Sequence, residues 1–199
     1  MIDSTLILFG VTILLLGSPG PATLGIAATS ATFGVKQSIP FLIGILLGLT
    51  AALAGAVFGI AVLFTTWPET RLTVQIVGAL YISFIAFKIA TAPILQSTAE
   101  AAKNIPGLLD GFILNLLNVK AYAVFFAIFS QFLLPFTDER IGYLMTAAVC
   151  FIVATVVDIG WLFLGGVLKS AFEKPTSARR VRFTFATLMV VAVISTFLI

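Results

Sequence analysis

Six long apolar segments, separated by short polar stretches, constrain the fold of this sequence more than any other feature. A helix needs about 20 consecutive, mostly apolar residues to cross a bilayer. The apolar runs are continuous rather than alternating, which favours helices over barrel strands. Only 10% of the residues are charged, too few to cover the surface of a soluble domain. The sequence therefore predicts an all-α integral membrane protein with transmembrane helices at 3–34, 38–66, 70–91, 107–134, 140–168 and 181–199.

A polar stretch in the middle of the chain divides the six segments into two groups of three. We interpret residues 1–92 as a first three-helix repeat, 93–106 as a cytoplasmic linker and 107–199 as a second three-helix repeat of one membrane domain. Because three is odd, the second repeat enters the membrane from the side opposite to the first. The sequence thus predicts two repeats of inverted topology, an arrangement found in many transporters.

Lysine and arginine residues are distributed unequally between the two sides of the predicted membrane. Eight lie in or beside loops 1–2, 3–4 and 5–6: Lys36, Lys88, Lys103, Lys169, Lys174, Arg179, Arg180 and Arg182. The opposite side has only Arg71 and Arg140. Since the excess of positive residues marks cytoplasmic loops, we expect these three loops in the cytoplasm. Both termini are then expected on the opposite, periplasmic side.

The first and fourth predicted spans are interrupted by residues that favour helix ends. In the first, Ser18 is a good N-cap and Pro19 fits the first position of a new helix. In the fourth, Asn118 can cap a half-helix that begins near Val119. Both breaks lie about 20 Å along their helices, near the bilayer midplane. Backbone that leaves a helix there persists only where protein or an aqueous cavity surrounds it.

These breaks predict a substrate site, because two new helix N-termini would point unpaired N–H groups at the membrane centre, where a carboxylate is the natural ligand. The alternative is a pair of kinks that only shape packing. We assign to the candidate site the residues of the two breaks: Ser18, Pro19, Gly20, Pro21 and Asn118.

Lys120 and Asp158 are charged residues that the predicted topology places inside the membrane. Each costs on the order of 3 kcal/mol to insert, so a function or a mutual partner is expected. One interpretation is a buried ion pair that locks span 4 to span 5. In the other, Lys120 attracts a substrate carboxylate, while Asp158 accepts a substrate ammonium or couples transport to protons. The two combine if the pair opens when substrate or a proton arrives.

We also assign Asn115 and Trp161 to the candidate site. Asn115 lies one helical turn before Asn118, so we expect it to line the same cavity. Trp161, one turn beyond Asp158, either stacks on an ammonium group or only packs. Asp110 falls in the first turn of span 4, where an acid suits the helix dipole.

Span 2 contains two pairs of glycines with GxxxG spacing, Gly44/Gly48 and Gly55/Gly59. This spacing permits close approach of two helices, either within the chain or across a homodimer. Intramolecular packing is the simpler interpretation.

Several classes of function lack the residues they need. The sequence has no histidine and a single cysteine, Cys150, which argues against soft-metal efflux, although cation or metal efflux remains an alternative within transport. No nucleophile with a base, CxxC pair or metal motif suggests an enzyme, and no cofactor is implied. The small net charge of +3 does not suggest nucleic acid. A non-transporting membrane scaffold would leave the two charges in the membrane unexplained.

Several motifs resemble those of the lysine-exporter superfamily, in its homoserine/threonine/leucine efflux branch. They cover nearly the whole chain: Ser18-Pro19-Gly20-Pro21, Gly34-Val35-Lys36-Gln37-Ser38, Gly78-Ala79-Leu80-Tyr81, the run Gly111 to Ala121, and Asp158 with Trp161. One departure is Val119, where the family usually has proline after the asparagine of span 4. The resemblance implies a six-span inner-membrane exporter of amino acids or their derivatives, driven by the proton gradient. The expected partners are a small zwitterionic substrate, protons and the bilayer.

Overall fold

The computed structural model describes residues 2–57, 67–91, 105–168 and 175–195, and the regular secondary structure in these ranges is entirely helical. The helices are α1 (Ile2–Gly17), α2 (Pro21–Phe33), α3 (Val35–Val57), α4 (Pro68–Ala90), α5 (Leu108–Leu116), α6 (Val119–Gln131), α7 (Glu139–Leu168) and α8 (Pro175–Ser195). The prediction of an all-α protein is confirmed for these ranges.

The helices provide two to four candidate membrane spans. α3 and α7 are each long and apolar enough to cross a bilayer. The pairs α1–α2 and α5–α6 qualify if each is one broken span, with bends of 62° and 55°. α4 and α8 contain shorter apolar stretches, at Ala79–Ala90 and Phe183–Ala192. The structure is that of a multi-pass membrane protein, whereas the six-helix inverted repeat stays a prediction; residues 93–104 of its linker lie outside the described residues.

The first break lies in the predicted motif but differs in detail. α2 begins at Pro21 with Gly20 as its N-cap, so the prediction that Ser18 caps the helix and Pro19 opens it is wrong. Pro21 suits this position because its ring fixes φ and its missing N–H needs no helical partner. Thr23 accepts a hydrogen bond from the Gly20 N–H at 3.0 Å and donates to the Gly20 carbonyl at 3.2 Å. Ser18 instead donates to the Leu15 carbonyl at 2.8 Å, at the end of α1.

The second break forms without the proline that the family pattern would supply. α6 begins at Val119 with Asn118 as its N-cap residue, as predicted. The Asn118 side chain makes no capping hydrogen bond and turns to another partner, described below. The Tyr122 side chain bridges this break, because its hydroxyl donates a hydrogen bond of 3.0 Å to the Leu116 carbonyl at the end of α5.

Small residues bring two pairs of helices into backbone contact. α3 packs mainly on α5 and α2 on α7. A Cβ atom on Gly44 would overlap the Leu108 carbonyl oxygen, and one on Gly48 would lie 2.7 Å from the Phe112 oxygen. The intramolecular interpretation of Gly44 and Gly48 is therefore confirmed. Gly59 of the second pair lies outside the described residues.

The buried apolar residues form two clusters that meet at the breaks. One cluster joins α2, α3, α4 and α8, and contains Ile45. The other joins α1, α3, α6 and α7, and contains Leu49, Ala121 and Ala154. Residues from both clusters line one internal cavity.

Candidate functional site

The cavity has a volume of about 40 Å³ and lies where the two helix breaks meet α3 and α7. Its polar lining comprises five side chains or cap residues that the sequence singled out: Gly20, Asn115, Asn118, Lys120 and Asp158. Thr23 completes the polar set, and Leu16, Ala22, Ile45, Leu49, Ala121 and Ala154 supply an apolar wall. By comparison, an apolar protein cavity of about 150 Å³ binds benzene. The cavity in this state thus has room for a water molecule or one small polar group.

Lys120 extends from the first turn of α6 to the break between α1 and α2. Its Nζ donates to the Ser18 carbonyl and to Ser18 Oγ, both at 2.8 Å, and to the Pro19 carbonyl at 3.4 Å. The C-terminal end of a helix carries partial negative charge, so an ammonium is favourable there. Gly20 makes room for this side chain, since a Cβ atom there would lie 3.0 Å from Nζ. Lys120 therefore holds the two breaks together.

Asp158, on α7, lines the same cavity and is 6% exposed. Lys120 and Asp158 form no ion pair in this state, so this predicted alternative is wrong for it. The ion pair found among the described residues joins Lys88 to Asp110. The reason is the position of the Lys120 ammonium, whose three donors all point to the end of α1. None of the described residues hydrogen-bonds the Asp158 carboxylate. The cavity is thus lined by one basic and one acidic side chain that form no ion pair with each other.

Asn115 and Asn118 form a hydrogen-bonded amide pair beside these charges. Asn115 Nδ2 donates to the Ile45 carbonyl of α3 at 2.9 Å. Asn118 Nδ2 donates to Asn115 Oδ1 at 3.2 Å. Both residues are buried, at 2% and 6% exposure, and Asn118 Oδ1 has no hydrogen-bond partner among the described residues. The structure therefore places Asn115 at the cavity, as the helical spacing predicted.

Four of the predicted site residues stand apart from the cavity lining. Trp161 donates through Nε1 to the Gly17 carbonyl at 3.3 Å and lies in a separate open groove between α1 and α7, which Ser18 also lines. Trp161 thus lies outside the cavity that Asp158 lines, which agrees with the packing alternative. Pro19 contributes only its carbonyl, and Pro21 is buried at the start of α2.

Sequence reasoning missed the capping role of Thr23 and the hydroxyl bridge of Tyr122. Thr23 follows Gly20 by three residues, which is the spacing of a capping box and would have identified it. Tyr122 carries no comparable signal, because its bond reaches backward across a break to the Leu116 carbonyl.

A polar cluster away from the cavity joins α4 to α5. Asp110 lies in the first turn of α5, as predicted, and its Oδ2 accepts from the Gly107 N–H at 2.7 Å and from Lys88 Nζ at 3.4 Å. The Tyr81 hydroxyl donates to Asp110 Oδ1 at 3.3 Å. The opposite charges of Lys88 and Asp110 at the same predicted membrane face were the available signal for this pair.

Comparison with known proteins gives a consistent picture. The family model described as LysE type translocator matches residues 6–198. The cysteine/O-acetylserine efflux protein of Salmonella typhi is 29% identical over 160 residues, covering 78% of this chain and 79% of the relative. The protein of the same name from Escherichia coli (strain K12) is 26% identical over 183 residues, 90% of each chain. No solved structure matches the chain significantly.

Proposed function

Since the chain belongs to the LysE type translocator family and is a membrane transporter rather than an enzyme, we propose that it exports a small zwitterionic amino acid or amino-acid derivative. Relatives named as cysteine/O-acetylserine efflux proteins support this substrate class. We propose six transmembrane helices in two inverted repeats, with the substrate site between them and both termini in the periplasm of a bacterial inner membrane.

The observation that carries the proposal is one basic and one acidic side chain that line the same cavity without forming an ion pair. Ionisable residues inside a membrane are costly and commonly mark substrate or proton pathways. A zwitterion matches this arrangement, with its carboxylate toward Lys120 and the N-termini of α2 and α6, and its ammonium toward Asp158. An uncharged solute would use neither group.

Substrate entry requires movement, because a whole amino acid exceeds the cavity volume of about 40 Å³. In our proposal the substrate carboxylate replaces the Ser18 and Pro19 carbonyls as a partner of Lys120. The hydrogen bonds that connect α6 to the end of α1 are then released, and the cavity can widen. Substrate binding would thereby be coupled to opening.

Proton antiport follows if Asp158 carries the proton on the return step. Carboxylates in membrane spans serve this role in pumps and transporters. An acidic vesicle interior should then drive substrate accumulation, as protons leave and substrate enters. Asp158→Asn should abolish the accumulation, because the amide cannot take up a proton.

The test is exchange of labelled cysteine or O-acetylserine across proteoliposomes that contain the purified protein. We expect Lys120→Ala and Asp158→Asn each to reduce exchange at least about tenfold, since a charge-assisted hydrogen bond contributes about 1.5–3 kcal/mol. Lys36→Ala and Asp138→Asn are matched controls, because both residues are exposed. Full exchange by both cavity variants, or no exchange of either compound by the wild type, would contradict the proposal.

A further inference from the structure

We propose that the cavity seen here is the ammonium subsite, and that Asn118 Oδ1 and the Asp158 carboxylate accept hydrogen bonds from a primary ammonium group of the substrate. The inference deepens the proposed function and uses it only for the identity of the substrate. It assigns to Asn118, an uncharged residue, the discrimination between primary and N-substituted amines.

Side-chain hydrogen-bond donors that line the cavity are already engaged. Lys120 directs its ammonium to Ser18 and Pro19. The Thr23 hydroxyl donates to the Gly20 carbonyl. The Asn115 amide donates to the Ile45 carbonyl. A ligand that enters this state therefore finds these side-chain donors occupied.

Two hydrogen-bond acceptors in the cavity lining, on Asn118 and Asp158, have no partner in the part of the chain that the structure describes. Because Asn115 gives its NH₂ group to Ile45, its oxygen faces Asn118 and receives the Asn118 NH₂ group. This chain of bonds fixes the Asn118 amide and leaves Oδ1 buried without a partner. The Asp158 carboxylate likewise has no hydrogen-bond partner among the described residues. Buried polar atoms are nearly always hydrogen-bonded, so the unpaired Asn118 Oδ1, in the lining of the same cavity as the Asp158 carboxyl group, points to a ligand that donates.

A primary ammonium group matches the cavity in size and charge. The cavity of about 40 Å³ accepts one small polar group and not a whole amino acid. A primary ammonium is compact, positively charged and carries three donors. A quaternary ammonium has the charge but no N–H, and an N-acetylated amine has neither the charge nor the shape. Of these, only the primary ammonium satisfies both acceptors.

Asn115 is a positioning residue in this scheme, since it acts through Asn118. Its bond to the Ile45 carbonyl ties the amide pair to α3, whose backbone is in close contact with α5. Without Asn115, the Asn118 amide can rotate and present either its oxygen or its nitrogen. Loss of Asn115 should therefore reduce discrimination among amines.

The first experiment uses the wild-type protein and two isomers, O-acetylserine and N-acetylserine, as competitors of labelled exchange in proteoliposomes. They have the same atoms, but only O-acetylserine keeps a primary ammonium. We expect at least about tenfold weaker competition by N-acetylserine, the loss that one charge-assisted hydrogen bond predicts. Equal competition would overturn the inference while leaving amino-acid export intact.

The second experiment replaces the amide. Asn118→Leu should weaken apparent substrate affinity about tenfold or more and reduce the preference for O-acetylserine over N-acetylserine. Asn115→Leu should reduce the same preference. Gln131→Leu is the matched control, because it removes an exposed amide at the other end of α6. Unchanged affinity and preference in Asn118→Leu would overturn the proposed role of Asn118.

The third experiment does not depend on transport. Thermal unfolding of the purified wild type is measured in methylammonium chloride, tetramethylammonium chloride and sodium chloride at equal concentration. Methylammonium alone should raise the midpoint, by about 2–4 °C at about five times its Kd, and Asn118→Leu should abolish the rise. An equal rise with tetramethylammonium, or a rise with sodium only, would overturn the ammonium subsite. If wild-type exchange fails but methylammonium stabilises, the proposed substrate is wrong and the subsite stands.

Discussion

The contact between α3 and α5 makes a strong prediction about stability, because it depends on the absence of a side chain at Gly44. A Cβ atom there would overlap the Leu108 carbonyl oxygen and lie 2.8 Å from both the Leu108 carbonyl carbon and the Phe112 nitrogen. These neighbours are backbone atoms and cannot rotate away. Gly44→Ala must therefore move one helix away from the other.

The magnitude follows from the distances. Ordinary contact of a Cβ atom begins at 3.4 Å, so the two helices must separate by about 0.6 Å to relieve the 2.8 Å contacts alone. Overpacking of this kind costs about 1–3 kcal/mol. For a chain of this length, about 1 kcal/mol corresponds to about 2–4 °C in Tm. We expect Gly44→Ala to lower Tm by about 2–12 °C.

The assay is the fraction of detergent-purified protein that remains monodisperse in gel filtration after heating across a range of temperatures. Gly160→Ala is the matched control, because no atom lies within 4 Å of the position that its methyl group would take, and alanine favours helix over glycine. Gly160→Ala should leave Tm unchanged or raise it. Equal midpoints for Gly44→Ala and Gly160→Ala would refute the close packing of α3 on α5.

Three other expectations concern the ion pair, the cavity wall and the topology. Asp110→Ala should lower Tm more than Lys88→Ala, because Asp110 also accepts hydrogen bonds from Gly107 and Tyr81; a double-mutant cycle should give a coupling of about 0.5–1 kcal/mol, and zero coupling would contradict the pair. Leu49→Ala should enlarge the cavity and admit larger amino acids as competitors of exchange, whereas unaltered selectivity would argue against its place in the wall. Tags on both termini should be cleaved by protease added to intact spheroplasts, and a protected tag would reverse the predicted orientation.

The helix breaks could be predicted from sequence because their signals are local. Glycine, proline and asparagine in apolar runs mark helix ends without reference to the rest of the chain. The exact start of α2 was missed because the motif contains two prolines. Pro19 and Pro21 both fit a first helical position, and the Thr23 hydrogen bonds to Gly20 distinguish them.

The partner of Lys120 could not be predicted by the same means. Depth along a helix, at about 1.5 Å per residue, brings Lys120 and Asp158 to similar levels. It carries no information about rotation around the helix axis or about side-chain direction. The carbonyls of Ser18 and Pro19 are competing acceptors, and they are available to Lys120 because α1 ends before them. A break that could be recognised in sequence thus changed the pairing of a charge elsewhere in the chain.

The positions of the close helix contacts indicate which parts of the site move together. Gly44 and Gly48 hold α3 against the backbone of α5, and a Cβ atom on Gly165 of α7 would overlap the Ala27 carbonyl of α2. Backbone contacts of this kind resist sliding and separation, because packed interfaces are not continuously deformable. The cavity lies between the α3–α5 pair and the α2–α7 pair, with Asn115 on one and Asp158 on the other. Widening it by moving the two pairs apart preserves both sets of backbone contacts. The Lys120 hydrogen bonds to the end of α1 are side-chain connections that can be exchanged during this movement, because a substrate carboxylate can replace their acceptors.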